Sequence, residues 1–96
     1  LLIDRGDLSR YIPIEKIPQA QEHILRKSSQ YKIPTFVATN LLETMINKNL
    51  PSRAESNDIY SSLDKGAKGL VLAAETAVGN YPLECVKFLK RCISSF

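Results

Sequence analysis

The sequence predicts an α/β fold built from three successive strand–helix units, and three observations support this. Short apolar runs rich in branched residues occur at Leu1–Asp4, Thr35–Thr39 and Gly69–Ala74, and each precedes a segment with helical spacing. Each run ends in polar or acidic residues, as strands do at the functional edge of a parallel sheet. Repetition of the unit favours parallel strands joined by right-handed crossovers.

Composition fits a packed domain and argues against two classes of function. Hydrophobic residues make up 44% of the 96 residues, and the net charge of +3 comes from basic residues scattered among acids, so no nucleic-acid surface is predicted. No apolar run approaches membrane-spanning length, and we expect no signal peptide. Cys85 and Cys92 would be separated by roughly 10 Å of helix, too far for a disulfide. Free thiols indicate a reducing compartment such as the cytoplasm.

The first unit begins with an apolar strand that ends in two carboxylates, an arginine and a glycine, from Leu1 to Leu8. Gly6 permits a sharp turn or the close approach of a ligand to the backbone. The peptide N–H groups that follow could then face an anion, while Asp7 could hold a metal cation. The stretch therefore predicts a site for an ionic ligand and its counter-ion.

The helix of the first unit is predicted over Pro13–Tyr31. Its regular part should begin near Ile17, because Pro18 is tolerated only in a first turn. His23 has no metal-ligating neighbour three or four residues away, so we interpret it as structural.

The second unit has a buried strand that ends in Thr39 and Asn40, followed by a short helix within Leu41–Ile46. Ser52 and Glu55 have the spacing of a capping box, which predicts the start of another helix. That helix should run to about Asp64. Ile59 and Leu63 should lie on its inner face, and Gly66 should end it.

The third strand closes in Glu75 and Thr76, and a turn at Gly79–Asn80 leads to a last helix that begins at Pro82. The spacing of this helix predicts a core-facing stripe of Val86, Leu89, Ile93 and Phe96, with the two cysteines as packing residues.

No G-x-G-x-x-G or Walker sequence follows any strand, so neither a dinucleotide site nor a P-loop is supported. Polar residues at the C-terminal end of every strand are typical of barrels and of doubly-wound folds, and three units supply three of the eight that a (β/α)8 TIM barrel needs. We therefore predict a partial barrel. Three residues are expected on surfaces that the rest of a barrel would cover: Val37, Leu70 and Leu72.

The sequence resembles a known family, the pyruvate kinases, over essentially its whole length. The stretches that carry the resemblance are Arg5-Gly6-Asp7-Leu8, Ile12-Pro13-Ile14-Glu15-Lys16, Ala38-Thr39 with Leu42-Glu43, Met45-Ile46, Arg53-Ala54-Glu55 with Asp58, Glu75-Thr76-Ala77, and Gly79 with Tyr81-Pro82-Leu83-Glu84. The resemblance implies that residues 1–96 are the C-terminal segment of the catalytic barrel, from its sixth strand to the helix after its eighth.

The family transfers a phosphoryl group between phosphoenolpyruvate and ADP, so the resemblance implies that reaction for the parent protein. It implies Mg²⁺ or Mn²⁺ bound by Asp7, K⁺ bound through residues outside this chain, and a homo-oligomeric, tetrameric parent. The N–H groups of Gly6 and Asp7 would hold the substrate carboxylate, with Thr39 beside the three-carbon end. Further residues expected at the rim are Asp4, Arg5, Asn40 and Glu75. Glu75 could equally support the barrel rim without touching ligand.

The chain also departs from the family pattern. Asp4 stands where the family usually has alanine, and Ala73, Val78, Asn40 and Ser9 replace other usual residues. The phosphoryl-contacting lysine and the second metal-binding carboxylate of the family belong to an upstream strand, so we expect no complete active site in this segment. The alternative is a non-catalytic or regulatory homologue that binds a small carboxylic acid.

Overall fold

The computed structural model describes all 96 residues and contains one three-stranded parallel sheet in the order β1-β2-β3. The strands are β1 (Leu2–Asp4), β2 (Phe36–Ala38) and β3 (Gly69–Val71). Cα partners run in register, with Leu2 opposite Phe36 and Phe36 opposite Gly69. The predicted order of adjacent parallel strands is confirmed, although each strand is shorter than its apolar run.

Helices connect the strands and follow the last of them. The α-helices are α1 (Arg5–Leu8), α2 (Ile17–Gln30), α3 (Arg53–Asp64), α4 (Ala74–Ala77) and α5 (Pro82–Ser95), and single 3-10 turns lie at Ile14–Lys16 and Glu43–Ile46. None of them has the length and apolar character needed to cross a bilayer. The short helix predicted within Leu41–Ile46 is in fact a 3-10 turn, preceded by two buried leucines.

Helices cover one face of the sheet. Successive side chains along each strand point alternately to this covered face and to the opposite one. Ile3 and Val37 point into the core, whereas Leu2 is 55% exposed and Phe36 is 43% exposed. The core also takes residues from the helices and from the connection after β2: Leu25, Leu41, Leu42, Met45, Ile59, Ala67, Cys85 and Leu89. The expectation that Val37 needs outside partners is therefore wrong, while Leu70 and Leu72 are only partly buried.

Local signals place the helix ends where the sequence predicts them. Helix α2 begins at Ile17 with proline in its first turn, and His23 is exposed. At α3 the Ser52 hydroxyl accepts from the Glu55 N–H at 3.1 Å, and the Glu55 carboxylate accepts from the Ser52 N–H at 2.9 Å. Gly66 follows that helix with a φ of 115°, a conformation that favours glycine.

The predicted inner stripe of α5 is wrong at three of its four positions. Val86, Ile93 and Phe96 are exposed, and Cys85 lies beside Leu89 in the core. The helix is rotated so that the small thiols pack where larger side chains were expected. Both cysteines are free, as predicted, and burial raises the pKa of each thiol, so both stay protonated at neutral pH.

Candidate active site

The C-terminal ends of the three strands meet at one edge of the sheet, and the predicted site residues lie there. Asp4 ends β1, Thr39 follows β2, and Glu75 lies in α4, the helical turn after β3. This convergence follows from the parallel register, which aligns Asp4 with Ala38 and Ala38 with Val71. The sheet therefore brings together residues that are up to about seventy positions apart in the sequence.

Helix α1 begins directly at this edge, and oxygen atoms already lie at two of its backbone N–H groups. Asp4 is its N-cap, with Oδ1 accepting from the Asp7 N–H at 3.1 Å. The Gly6 N–H donates to Thr39 Oγ1 at 2.9 Å. A Cβ atom at Gly6 would lie 3.3 Å from Asp4 Oδ1, so the absence of a side chain permits this close arrangement. Asp4 thus acts as a cap, a role that the sequence did not reveal.

Thr39 has an unusual backbone conformation for a β-branched residue. Its φ is 77°, and Asn40, which is exposed, follows with a φ of 58°. The Thr39 carbonyl accepts from Arg5 Nη2 at 2.6 Å. Arg5 Nη1 in turn donates to both carboxylate oxygens of Asp58 on α3, at 2.7 and 2.9 Å. Arg5 therefore binds protein groups behind the edge instead of facing a ligand at the rim.

Asp7 differs from its neighbours because its carboxylate is 65% exposed. Its ion pair with Arg10 has an N–O distance of 3.9 Å between two exposed side chains, which contributes little stability. The chain brings no three acidic, histidine or cysteine side chains into one group that could hold a metal ion. Asp7 suits a Mg²⁺ ion that takes one protein carboxylate here and its other oxygen ligands from water, substrate or other protein segments.

Glu75 is 1% exposed and joins two strand ends from within the protein. Its carboxylate accepts from the Leu42 N–H and from the Ala73 N–H, both at 2.9 Å. Burial alone would raise the pKa of Glu75, but these N–H groups, its own N–H and the charge of Arg5 outweigh burial and lower its pKa below the ordinary value. Each carboxylate oxygen of Glu75 therefore accepts from one backbone N–H group, and whether Glu75 also contacts a ligand stays a prediction.

We expect Glu75→Gln to destabilise the fold by about 1–3 kcal/mol at neutral pH. The glutamine amide has only one acceptor oxygen, so its NH₂ would face either the Leu42 or the Ala73 N–H and leave that group without an acceptor. A carboxyl whose pKa is lowered by folding stabilises the protein above its unfolded pKa, about 4.3 for Glu, and loses that contribution as pH falls through the folded value. Unfolding of the full-length parent protein, followed by circular dichroism from pH 7 to pH 3, should show the stability difference between variant and wild type shrinking as the pH falls below about 4.3. The exposed Glu15→Gln is the control, and equal stability of all three proteins would contradict the assignment.

Sequence reasoning missed the contribution of Asp58, which lies 53 residues from Arg5 in the sequence. In the sequence, Asp58 stands out only as one of the positions that resemble the family. The sequence around an aspartate on a helix surface does not show that a distant arginine will donate hydrogen bonds to its carboxylate. The partner becomes apparent only when the fold brings α3 within hydrogen-bonding distance of Arg5.

Comparison with known proteins matches the sequence of this chain to one family. The family model described as "Pyruvate kinase, barrel domain" matches residues 1–86. Pyruvate kinase of Thermotoga maritima is 46% identical over 95% of this chain, and that of Methanocaldococcus jannaschii is 42% identical over 95%. Pyruvate kinase isozyme G, chloroplastic, of Ricinus communis is 44% identical over 92%.

The chain spans about a fifth of the length of these relatives, namely 20%, 20% and 21% of the three proteins in the order given. A three-stranded parallel α/β sheet with its helices is what part of that barrel domain should contain. The match covers all three strands and every predicted site residue. The chain therefore belongs to the pyruvate kinase family.

Proposed function

We propose that this chain forms strands six to eight of a pyruvate kinase barrel, at the C-terminal end of the barrel domain. The parent protein would transfer the phosphoryl group of phosphoenolpyruvate to ADP, giving pyruvate and ATP in glycolysis. The observation that carries the proposal is the meeting of Gly6, Asp7 and Thr39 at one strand edge in a chain of this family. Barrel enzymes place their active sites at this edge.

The backbone of α1 is the proposed binding place for the substrate carboxylate. The N–H groups of Gly6 and Asp7 would donate to it, and the Thr39 hydroxyl would lie beside the three-carbon end. Support comes from the two oxygen atoms that these N–H groups already meet, Thr39 Oγ1 at 2.9 Å and Asp4 Oδ1 at 3.1 Å. A ligand carboxylate would have to replace or share these acceptors.

Asp7 is the proposed protein ligand of Mg²⁺ or Mn²⁺, since its carboxylate is exposed and its ion pair with Arg10 is long, at 3.9 Å. A divalent ion bound there would neutralise charge on the transferred phosphoryl group. The chain's own residues would bind and orient the acid. The family's phosphoryl-contacting lysine, its nucleotide site and its K⁺ site would come from other segments of a parent that we propose to be a cytoplasmic homo-oligomer.

The test is a coupled assay of the full-length parent protein with phosphoenolpyruvate, ADP and Mg²⁺. We expect pyruvate formation that requires all three and stops when EDTA removes the metal. Binding of phosphoenolpyruvate without turnover would instead favour a non-catalytic homologue. One observation favours this second candidate. Asp4 stands where the family usually has alanine, and its carboxylate accepts a hydrogen bond from the Asp7 N–H, which is one of the proposed substrate-binding groups.

Replacing Asp4 by alanine should therefore lower the KM for phosphoenolpyruvate, because it frees the Asp7 N–H and removes a negative charge beside an anionic substrate. At an effective dielectric constant of 20, unit charges about 4 Å apart interact by roughly 4 kcal/mol before screening by solvent. The same change removes the cap of α1, with an expected cost of about 1 kcal/mol in stability.

Asp4→Asn is the matched variant because it keeps a capping oxygen while losing the charge. Steady-state kinetics at saturating Mg²⁺ and thermal unfolding of both variants separate the two effects. If neither substitution alters KM or kcat, Asp4 does not modify substrate binding.

A further inference from the structure

The guanidinium group of Arg5 connects three separate elements of the fold. It extends from the first residue of α1, pairs with Asp58 on α3 and reaches the loop after β2 at the Thr39 carbonyl. The Arg5 side chain is only 14% exposed, and Asp58 is 32% exposed. Charge-assisted hydrogen bonds in such partly buried places are among the stronger ones in proteins.

Thr39 needs such a contact because its backbone is in the left-handed region, with a φ of 77°. That region is unfavourable for β-branched residues and persists only where the surroundings impose it. In this conformation the Thr39 carbonyl points to Arg5 Nη2 at 2.6 Å while its Oγ1 reaches the Gly6 N–H at 2.9 Å. The two bonds of Thr39 thus depend on the same backbone turn.

Arginine suits this arrangement because its two terminal nitrogens serve different acceptors. Nη1 donates to both oxygens of Asp58, at 2.7 and 2.9 Å, and Nη2 is left for Thr39. A lysine ammonium is a single point charge and lacks this planar fork. Asp58 therefore orients Arg5, and Arg5 orients Thr39.

We infer that Arg5, held by Asp58, is a positioning residue that keeps Thr39 in its left-handed conformation and so sets its hydroxyl at the Gly6 N–H. The consequence for catalysis rests on the proposed function, since it assigns Thr39 and Gly6 to substrate binding. Arg5 itself contacts no ligand in this scheme. Its effect should appear in the binding of the acid substrate more than in overall stability.

The test uses Arg5→Lys and Arg5→Met in the full-length parent protein. The control is Arg26→Met, which removes an exposed arginine that pairs with Glu22 at 3.2 Å on the surface of α2. Arg5→Lys keeps a cation for Asp58 but should lose the bond to Thr39. We expect about a tenfold rise in the KM for phosphoenolpyruvate in both Arg5 variants, with a smaller change in kcat and none in the control.

A double-mutant cycle with Thr39→Val separates positioning from a general structural role. If Arg5 acts through Thr39, Arg5→Lys should raise KM no further in the Thr39→Val background. Full additivity of the two substitutions, or a wild-type KM in Arg5→Lys, would overturn the inference.

Amide hydrogen exchange at Gly6 provides a readout that does not depend on turnover. Loss of the Thr39 Oγ1 acceptor should speed exchange of the Gly6 N–H in Arg5→Lys while the amide of Val37 in β2 stays protected. Unchanged Gly6 exchange would overturn the inference even in an active enzyme. The two proposals can fail separately. If the wild type has no pyruvate kinase activity, the proposed function is refuted. If Arg5→Lys still speeds Gly6 exchange in that protein, the positioning role of Arg5 is retained.

Discussion

Asp7→Asn is expected to reduce Mg²⁺-dependent or Mn²⁺-dependent turnover of the parent protein about a hundredfold or more, equivalent to roughly 3 kcal/mol of transition-state stabilisation. The substitution keeps the volume of the side chain but removes the anionic oxygen that a hard cation prefers. The fold should tolerate it, because Asp7 is 65% exposed and has only a 3.9 Å contact with Arg10. The melting temperature should therefore stay close to that of the wild type.

Activity and metal titrations of the purified variant measure this effect. A metal ligand also predicts that the concentration of Mg²⁺ giving half-maximal rate rises in the variant, which a purely structural role would not produce. Asp64→Asn is the control, since Asp64 is an exposed carboxylate at the end of α3, away from the strand edge. Unchanged metal dependence and turnover in Asp7→Asn would refute the assignment of Asp7.

Most of the fold follows from local signals that act within a few residues. Pro18 sets the start of α2, Ser52 and Glu55 set the start of α3, and Gly66 sets its end. Each of these signals satisfies or removes backbone hydrogen-bonding groups at a helix end, so it works in almost any tertiary surroundings. The three parallel strands could be predicted for a different reason: apolar runs that alternate with helices have few other stable arrangements.

The orientation of α5 could not be predicted in this way. Two apolar stripes on this helix share Leu89, one continuing through Val86 and Ile93 and the other through Cys85 and Cys92. Spacing alone favours either, since both have helical periodicity. The choice depends on which stripe fits the space beside the strand ends, where Cys85 Sγ lies 4.0 Å from the Glu75 carbonyl.

The candidate site was predicted at the level of its residues but not of its contacts. The sequence places Gly6, Asp7 and Thr39 at strand ends, and the structure brings these ends together. The left-handed turn at Thr39 has no local cause, because no glycine stands there. We infer that a contact with Arg5, 34 positions away, holds this turn, and long-range contacts of this kind leave no periodic pattern in a sequence.

Expressed alone, residues 1–96 should self-associate, unfold with poor cooperativity and bind no nucleotide. The sheet ends at β1 on one side and β3 on the other, so both outer strands present unpaired N–H and C=O groups. The sheet face opposite the helices also exposes Leu2 and Phe36. In a closed barrel these edges and this face would be covered by the other strands.

Sedimentation velocity and thermal unfolding of the isolated segment, with and without phosphoenolpyruvate and Mg²⁺, measure this behaviour. Leu2→Lys is the matched variant, because a charge on an exposed edge strand opposes pairing between copies and should reduce association without touching the core. Self-association should also rise with protein concentration, as expected when apolar area and strand edges drive it. A monomer with a cooperative transition that shifts upward with ligand would show an autonomous binding domain. The partial barrel would then have to be abandoned as the account of this chain, since three units whose edges need partners cannot hold a ligand site in isolation.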